Sequence, residues 1–173
     1  MEIKVDFATE KDLDAVYSLN QENLRENVPN QKEGFLTFNP SKSDWKKYIN
    51  NKLIVVAKDK NFVAGYLLIF DEPPNNEFFN PIVKGIKKLK IKHYFLLAQD
   101  CIHRDYRGKG ILNMLYDKIK QIYKKKYHFG IGEIEESNKI SYYVHINKIG
   151  MEKIGEYFFE GFKWNLVSLN LRK

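Results

Sequence analysis

The sequence predicts an α/β (α+β) fold, formed by one domain over residues 1–173. Segments with a hydrophobic period of two alternate with segments of period 3.6, in the order β-α-α-β-β-(α)-β-α-β-α-β-β. Apolar residues make up 43% of the chain and aromatic residues 14%, which excludes a disordered protein. A chain of 173 residues is long enough to bury a full core in one domain.

The N-terminal half is expected to contain a strand, two helices, a hairpin and a further helix. Thr9 is followed by an acidic turn and by apolar residues at helical spacing from Leu13 to Leu24, a pattern typical of a capped amphipathic helix. The polar residues 58–61 between two apolar runs indicate a hairpin. The predicted strands are residues 3–7, 53–57 and 62–70. Two predicted helices begin at Thr9 and at Ser41 or Ser43, and a further helix is predicted over residues 81–89.

The C-terminal half centres on a strand over residues 93–102, whose first half is apolar on both faces, as in the middle of a sheet. A glycine-containing turn leads from it into an amphipathic helix. A second helix, capped by Ser137 or Asn138, is expected to end near Gly150. The helix that follows the glycine-containing turn should bury Ile111, Leu115, Ile119 and Ile122. The remaining predicted strands are residues 127–134, 151–159 and 162–171.

The turn after the central strand predicts an anion site. Residues 107–110 read Arg-Gly-Lys-Gly, and a helix begins directly after them, so free backbone N–H groups lie at the positive end of a helix dipole. Gly108 and Gly110 let the backbone approach a ligand closely, and Arg107 and Lys109 add positive charge. The spacing excludes both a nucleotide-triphosphate P-loop and a dinucleotide fingerprint.

Composition narrows the class of protein. The net charge of +7 suits polyphosphate ligands, RNA or acidic proteins, although the lysine clusters 87–92 and 124–126 are also typical of solvated faces. The single cysteine, Cys101, excludes an internal disulfide and a cysteine metal cluster, so we expect a cytoplasmic protein without a metal. We expect no membrane partner, because no segment resembles a membrane helix or a signal peptide.

Residues 106–111, Tyr-Arg-Gly-Lys-Gly-Ile after an apolar strand, closely resemble the acetyl-CoA loop of the GCN5-related N-acetyltransferase (GNAT) superfamily. The family pattern Arg/Gln-x-x-Gly-x-Gly/Ala maps onto Arg107, Gly110 and Leu112, with Leu112 in place of a small residue. The resemblance implies a mixed, mostly antiparallel central sheet of about seven strands flanked by helices. It also implies acetyl-CoA as acyl donor, with no metal and no covalent enzyme intermediate.

In the family, the strand before the loop diverges from the next strand and the coenzyme arm lies between them. The resemblance therefore implies that backbone N–H groups near the end of the central strand polarise the thioester carbonyl. The residues expected to bind coenzyme A are Cys101, Ile102, Arg107, Gly108, Lys109, Gly110, Ile111, Leu112 and Asn138.

A second segment resembles the family pattern Asn-x-x-Ala/Ser followed by an aromatic residue or His and then Gly-Phe. Asn138, Ser141 and Gly150 match it, but the interval to Gly150 is one residue longer and Met151 replaces Phe. The acid that protonates the leaving thiolate is therefore Tyr142, Tyr143 or His145, and Tyr143 and His145 are the preferred candidates. Each of the two also has a purely structural interpretation, as a core or a surface residue.

The general base is expected to be Asp100, a carboxylate in an otherwise apolar strand, where burial would raise its pKa. A hydrogen-bonded structural aspartate is the alternative interpretation. Three glutamates at the end of the neighbouring strand are the competing bases, and these are Glu133, Glu135 and Glu136.

The resulting hypothesis is an acetyl-CoA-dependent N-acyltransferase acting on a primary amine of a small molecule, a protein or a peptide. Its specificity would lie in residues 27–45 and 157–164, whose aromatic residues either line a groove or complete the core. One alternative is a non-catalytic domain that binds acetyl-CoA. A second is a basic RNA-binding module, although no nucleic-acid motif is present. The sequence is compatible with a homodimer.

Overall fold

The computed structural model describes residues 2–172. Its elements follow the predicted order. The strands are β1 (Ile3–Phe7), β2 (Ile54–Asp59), β3 (Phe62–Phe70), β4 (Tyr94–Ile102), β5 (Phe129–Glu135), β6 (Glu152–Phe159) and β7 (Phe162–Asn170). The helices are α1 (Leu13–Asn23), α2 (Lys42–Asn50), α3 (Asn80–Lys88), α4 (Ile111–Tyr123) and α5 (Lys139–Val144), and a π-helical turn, His145–Ile149, continues α5.

The seven strands form one sheet in the order β1-β2-β3-β4-β5-β7-β6. Every neighbouring pair is antiparallel except β4 and β5, which run parallel. The prediction of a mixed, mostly antiparallel sheet flanked by helices is therefore confirmed. The one parallel pair follows from the connection between its strands, because α4 carries the chain back to the starting edge of the sheet.

Polar residues set the starts of the first two helices. Thr9 and Asp12 form a capping box ahead of α1, and Ser41 caps α2 by accepting a hydrogen bond from the Asp44 N–H at 3.1 Å. The apolar stripe of α1 was predicted to extend to Leu24. The helix instead ends at Asn23, and Leu24 is buried in extended backbone beyond it.

The sheet separates two apolar cores. Helices α1, α2 and α3 cover one face, where Trp45 and Tyr66 are fully buried. Helices α4 and α5 cover the opposite face, where Ile111, Leu115 and Ile119 are buried as predicted. Ile122 is only partly buried, and Tyr116 and Tyr123 complete the buried stripe of α4 instead.

Strands β4 and β5 separate soon after they meet. They pair at only three positions, from Tyr94 opposite Phe129 to Leu96 opposite Ile131. Beyond these, β4 continues beside β3 and β5 continues beside β7, so a split opens in the middle of the sheet. A register shift leaves Ala98 as an extra residue of β4 at the start of the split. Such bulges bend a strand and commonly lie next to functional sites.

Candidate active site

The loop between β4 and α4 presents free backbone donors, as the anion-site prediction requires. Gly108 and Gly110 have φ angles of +73° and +76°, and no heavy atom lies within 4 Å of the position that a Cβ would occupy at either residue. Gly110 is the N-cap of α4, and its carbonyl accepts the first helical bond from Met114. Within residues 2–172, no backbone N–H from 108 to 113 donates to another protein group.

Two hydrophobic residues begin α4 and hold the loop in place. Ile111 is buried and Leu112 is partly buried, and both pack on the core beneath α4. The Leu112 side chain is therefore directed at the protein interior, so the position that departs from the family pattern contributes packing there. The backbone N–H groups of both residues remain available to a ligand.

Arg107 does not add its charge to the loop in the way that the sequence suggested. Its guanidinium turns back across the end of β4, where it donates to the Ile102 carbonyl at 3.3 Å and to Asn23 Oδ1 at 2.9 Å. It also lies 4.0 Å from a carboxylate oxygen of Glu33. Arg107 thus joins β4 to the segment between α1 and α2, because fixed acceptors lie within its reach. Lys109 keeps its ammonium at the loop, 5.0 Å from the ring of Tyr106.

A pocket occupies the split between β4 and β5. Residues 97–100 form its β4 wall and residues 132–135 form its β5 wall. Residues 35–38 from the segment after α1 contribute to the lining, as do residues of α4 and α5. Cys101 and Ile102 were expected here and do not line it. On β4 the pocket lies beside the bulge at Ala98 and ends before Cys101. The Cys101 thiol faces α1 in the core covered by α1, α2 and α3, where burial raises the pKa of the thiol.

On the α4 and α5 side of the split, Asp100 joins two other side chains. The His145 Nε2 donates to Asp100 Oδ2 at 2.9 Å, and the Tyr116 hydroxyl donates to the same oxygen at 3.0 Å. All three residues line the pocket. Burial and the neighbouring carboxylate raise the pKa of Tyr116 well above its usual value, so this tyrosine stays protonated. Asp100 is thus held in a polar cluster.

His145 is buried, with 7% of its surface exposed. Its Nδ1 donates to the Ser141 carbonyl at 2.8 Å, so both ring nitrogens face acceptors, an arrangement that favours the imidazolium. Burial lowers the pKa of His145, but the charge and hydrogen bond of Asp100 and the Ser141 carbonyl outweigh it and leave the pKa raised. This corrects the interpretation of His145 as a surface residue.

Tyr143, the other preferred acid, lies outside the pocket. Half of its surface is exposed, and its ring faces the Lys148 ammonium at 5.9 Å. Tyr142 is partly buried against the core and does not line the split. The reason is helical geometry: Ser141 and His145 are four residues apart and share the face that points inward, whereas Tyr143 lies on another side.

On the opposite side of the split, Glu133 faces the core under α1, α2 and α3. The Tyr157 hydroxyl of β6 donates to Glu133 Oε2. Burial raises the pKa of Glu133 to about 8, so this carboxyl exchanges its proton near neutral pH. Glu133 had been one of three competing bases, and the structure separates it from the other two.

Glu135 and Glu136 each form an ion pair. Glu135 is buried and pairs with Arg25, and it also accepts from the Ser137 hydroxyl. Glu136 is exposed and lies 3.3 Å from the Lys163 ammonium. Among the three glutamates, Glu133 alone lines the pocket without forming an ion pair to another of the described residues.

Asn138, which was expected to bind the coenzyme, lines the pocket, and its side chain makes two hydrogen bonds within the protein. Its Oδ1 caps α5 by accepting from the Ser141 N–H at 3.4 Å, and its Nδ2 donates to the Phe35 carbonyl at 2.8 Å. Asn138 therefore ties the segment between α1 and α2 to the start of α5. Its match to the family pattern has a structural explanation.

The aromatic residues of the two predicted specificity segments divide between core, pocket and surface. Phe35, Phe38 and Trp164 line the pocket, Trp45 is fully buried in the core, and Phe158 is 76% exposed. Tyr157, the first residue of the predicted segment 157–164, and Tyr116, which the sequence did not single out, complete the site. Tyr116 is one residue beyond the recognised apolar stripe of α4, and nothing local distinguishes Tyr157 from other strand aromatics.

Residues 2–172 contain no group of three or more histidine, cysteine, aspartate or glutamate side chains that could hold a metal ion. Within the same residues, no helix combines the length and the apolar character that crossing a bilayer requires.

Solved structures share this architecture at low sequence identity. A GNAT-family acetyltransferase from Bacillus cereus superposes with a TM-score of 0.66 at 16% identity, over 98% of each chain. YncA of Salmonella typhimurium, solved with its cofactor acetyl-CoA, gives 0.68 at 15% identity, over 99% of this chain and 95% of that one. A chain of the NatC complex bound to Gag peptide and coenzyme A gives 0.68 at 15%, over 98% and 99%.

The chain has the GNAT fold. The split sheet, the amide loop and the order of elements agree with this assignment. No protein-family model and no curated protein sequence matches the chain, so within the GNAT fold its reaction and substrate have to be argued from its own residues.

Proposed function

We propose that this protein is an acetyl-CoA-dependent N-acyltransferase that transfers an acetyl group to a primary amine by direct attack in a ternary complex. The observation that carries the proposal is the position of the split. Its pocket holds two titratable groups on opposite faces of the sheet, His145 and Glu133, and the loop with the free amides follows the end of β4, which forms one wall of the split. A thioester in the split would have a proton donor on one side and a base on the other.

The donor substrate is assigned to the loop and the split. The amides of residues 108–113 would hold the pyrophosphate, with Lys109 adding charge. The pantetheine arm would occupy the split, where β4 is no longer paired with β5 beyond Leu96 and remains paired only with β3 on its other side. An N–H of β4 beside the Ala98 bulge would then donate to the thioester carbonyl and stabilise the oxyanion.

Glu133 is the proposed general base. In its carboxylate form it takes one proton from the substrate ammonium and passes it to water, and the neutral amine attacks the thioester carbon. The new C–N bond forms and the C–S bond breaks. The second amine proton leaves as the tetrahedral intermediate collapses.

The pair of His145 and Asp100 is the proposed acid. The thiolate sulfur of coenzyme A takes a proton from the His145 imidazolium, which becomes neutral imidazole and is recharged by the second amine proton. Asp100 keeps the imidazolium charged until the C–S bond breaks. The buried single cysteine is consistent with action in the cytoplasm.

The test combines binding and turnover. Coenzyme A should raise the melting temperature of the protein, and thiol release from acetyl-CoA should depend on an added amine. The alternative is a domain that binds acetyl-CoA without turnover. It is favoured by the contacts of His145, both of whose ring nitrogens are already bound within the protein. Stabilisation by coenzyme A without thiol release on any amine would support that alternative, and the absence of stabilisation would refute both.

A further inference from the structure

A groove lies between α3 and the end of β6, apart from the pocket in the split. Its volume is about 580 Å³, and no described residue lines both the groove and the pocket. Two glycines let the helix lie close to the sheet here. A Cβ at Gly85 would lie 2.8 Å from the Leu166 side chain, and a Cβ at Gly155 would lie 3.5 Å from Leu166 and from Leu89. The groove therefore has a helix along one wall and a strand along the other.

Helix α3 runs alongside β6 in the opposite direction. Leu89, directly after the helix, lies beside Gly155, whereas the Cβ position of Gly85, one turn earlier, is 3.9 Å from the Tyr157 ring. Four helical residues span about 6 Å along the axis, and two strand residues span about 6.8 Å. Every fourth residue of the helix wall is therefore matched by every second residue of a strand that follows β6.

The helix wall of the groove is basic. Lys84 and Lys88 are four residues apart, share one side of α3 and line the groove. Residues 84–92 contain three further lysines, at positions 87, 90 and 92, and no acidic residue. All five lysines are exposed, and none of them forms an ion pair within residues 2–172. Their charge is therefore available to a partner.

The strand wall is a free edge of the sheet. Over residues 2–172, β6 pairs only with β7, so its outer edge presents unpaired backbone N–H and C=O groups. Lys153 and a register shift between Lys153 and Gly155 protect the first part of this edge. Residues 155–159, which line the groove, contain no lysine and no proline. The unprotected part of the edge thus coincides with the groove.

The two faces of this edge differ in character. Tyr157 packs on the core under α3, so the next side chain, Phe158, lies on the opposite face of the sheet, where it is 76% exposed. A strand added to β6 would have one row of side chains towards Lys84 and Lys88 and the other row beside Phe158. Acidic residues suit the first row and apolar residues the second.

We propose that the groove binds an extended acidic segment of a partner protein, which pairs with β6 as a further strand. Backbone hydrogen bonds to the free edge would hold the segment, and its acidic side chains at alternate positions would meet Lys84 and Lys88 in turn. Apolar side chains between them would cover Phe158. The partner is thus recognised by an alternating acidic and apolar pattern.

Two other occupants suit the groove less well. Glu77 and Glu160 also line it and are exposed, and they would repel the continuous phosphates of RNA, whereas a peptide backbone is neutral. A second copy of the chain that paired antiparallel through β6 would bring its own lysine-rich helix onto the same face of the joined sheet. The two helices would repel each other.

The probe is a fluorescein-labelled peptide with the sequence Val-Glu-Val-Glu-Val-Glu, with a blocked N-terminus, followed by fluorescence anisotropy. This peptide contains no amine that the proposed reaction could acetylate, so its binding tests the surface separately from that reaction. We expect saturable binding that weakens as the salt concentration rises. The block sequence Val-Val-Val-Glu-Glu-Glu, with the same composition, should bind at least about tenfold more weakly, because it lacks the alternation.

Strand pairing is tested with two N-methylated peptides, one methylated at every valine and one at every glutamate. The N–H groups of alternate residues point to the same side of a strand, so one of the two peptides should lose binding and the other should keep it. Equal binding of both would overturn the pairing with β6.

The helix wall is tested with the double variant Lys84→Glu and Lys88→Glu. It should weaken binding of the alternating peptide by about tenfold or more, because like charges then face each other. The matched control is Lys124→Glu with Lys125→Glu, which makes the same change in net charge at exposed positions outside the groove. The control should bind the peptide within about twofold of the unaltered protein.

The remaining outcomes also decide the inference. No binding of the alternating peptide at about 1 mM, or equal losses in the two double variants, would overturn it. Tighter binding of a single-stranded RNA that is lost in the Lys84 and Lys88 variant would assign the surface to nucleic acid instead. A dimer in sedimentation that the same variant strengthens would assign the edge to a second copy. If this variant does not fold, the comparison of peptides on the unaltered protein still decides.

Discussion

His145 and Asp100 are 45 residues apart in sequence, yet His145 Nε2 lies 2.9 Å from Asp100 Oδ2 in the wall of the split. One residue comes from β4 and the other from the turn that continues α5. The pair fixes the imidazole orientation, and the second nitrogen is fixed by the Ser141 carbonyl. The charge on this wall of the pocket therefore depends on His145 and Asp100 together.

Replacing Asp100 by Asn should lower the pKa of His145. Burial then acts without the compensating carboxylate, so the imidazole should be neutral at pH 7. Histidine resonances followed by NMR across pH will measure this shift. Asp105→Asn, which removes an exposed carboxylate outside the pocket, should leave the pKa of His145 unchanged. A His145 pKa that is the same in both variants would contradict the role assigned to the pair.

The same pair gives stability a pH dependence. Because the folded-state pKa of His145 is raised, its ion pair stabilises the fold fully below the ordinary histidine pKa, and this contribution is lost as the pH rises through the raised value. We expect the free energy of unfolding to fall over that range in the unaltered protein and to change less in Asp100→Asn. Urea unfolding at a series of pH values is the measurement.

Gly110→Asp should abolish coenzyme A binding, because a carboxylate would enter the anion site and the residue would be strained at a φ of +76°. Gly110→Ala separates the two effects, since it adds the strain without the charge. Gly161→Asp is the control, as Gly161 has a φ of +80° and also has open space around its Cβ position. Calorimetric titration with coenzyme A should show binding in Gly161→Asp only weakly changed. Unaltered affinity in Gly110→Asp would remove the loop from the site.

Turnover should rise with pH through about 8, the pKa of Glu133, because the base has to be ionised. Glu133→Gln should remove this rise and lower kcat by roughly 100-fold or more, within the range typical of a general base.

The pKa of Glu133 is raised in the folded state, so ionisation of Glu133 destabilises the fold as the pH increases towards 8. The Gln variant should therefore lose less stability than the unaltered protein between pH 5 and about 8. Initial rates and melting curves over this interval test both effects, and a rate profile unchanged by Gln would exclude Glu133 as the base.

Tyr143→Phe and His145→Asn should behave oppositely. Tyr143 is half exposed and outside the pocket, so its hydroxyl is dispensable and turnover should stay within about twofold of the unaltered rate. His145→Asn removes the proposed proton donor and should slow kcat by roughly 100-fold. Circular dichroism will confirm that both variants fold. Full turnover in His145→Asn would transfer the acid role to Tyr116, which can then be tested as Tyr116→Phe.

The sequence was sufficient for the order of elements, for the caps at Thr9 and Ser41, and for the amide loop at Gly108 and Gly110. These features are local: hydrophobic period, cap residues and glycine spacing are read within a few residues, and the backbone obeys them wherever the segment lies. The motif around Asn138 was also visible, although its amide caps a helix and supports Phe35.

Only the tertiary structure decided which residues share the site. Asp100, Tyr116 and His145 come from three elements, and Glu133, Tyr157 and Trp164 come from three neighbouring strands. The separation of β4 and β5 after three paired positions opens the pocket between the two sets. Burial, which sets the pKa of Glu133 and leaves the Trp164 N–H without a partner, depends on helices and strands distant in sequence. Long-range contacts and desolvation have no local pattern, so the chemistry of the pocket appears only when the chain is folded.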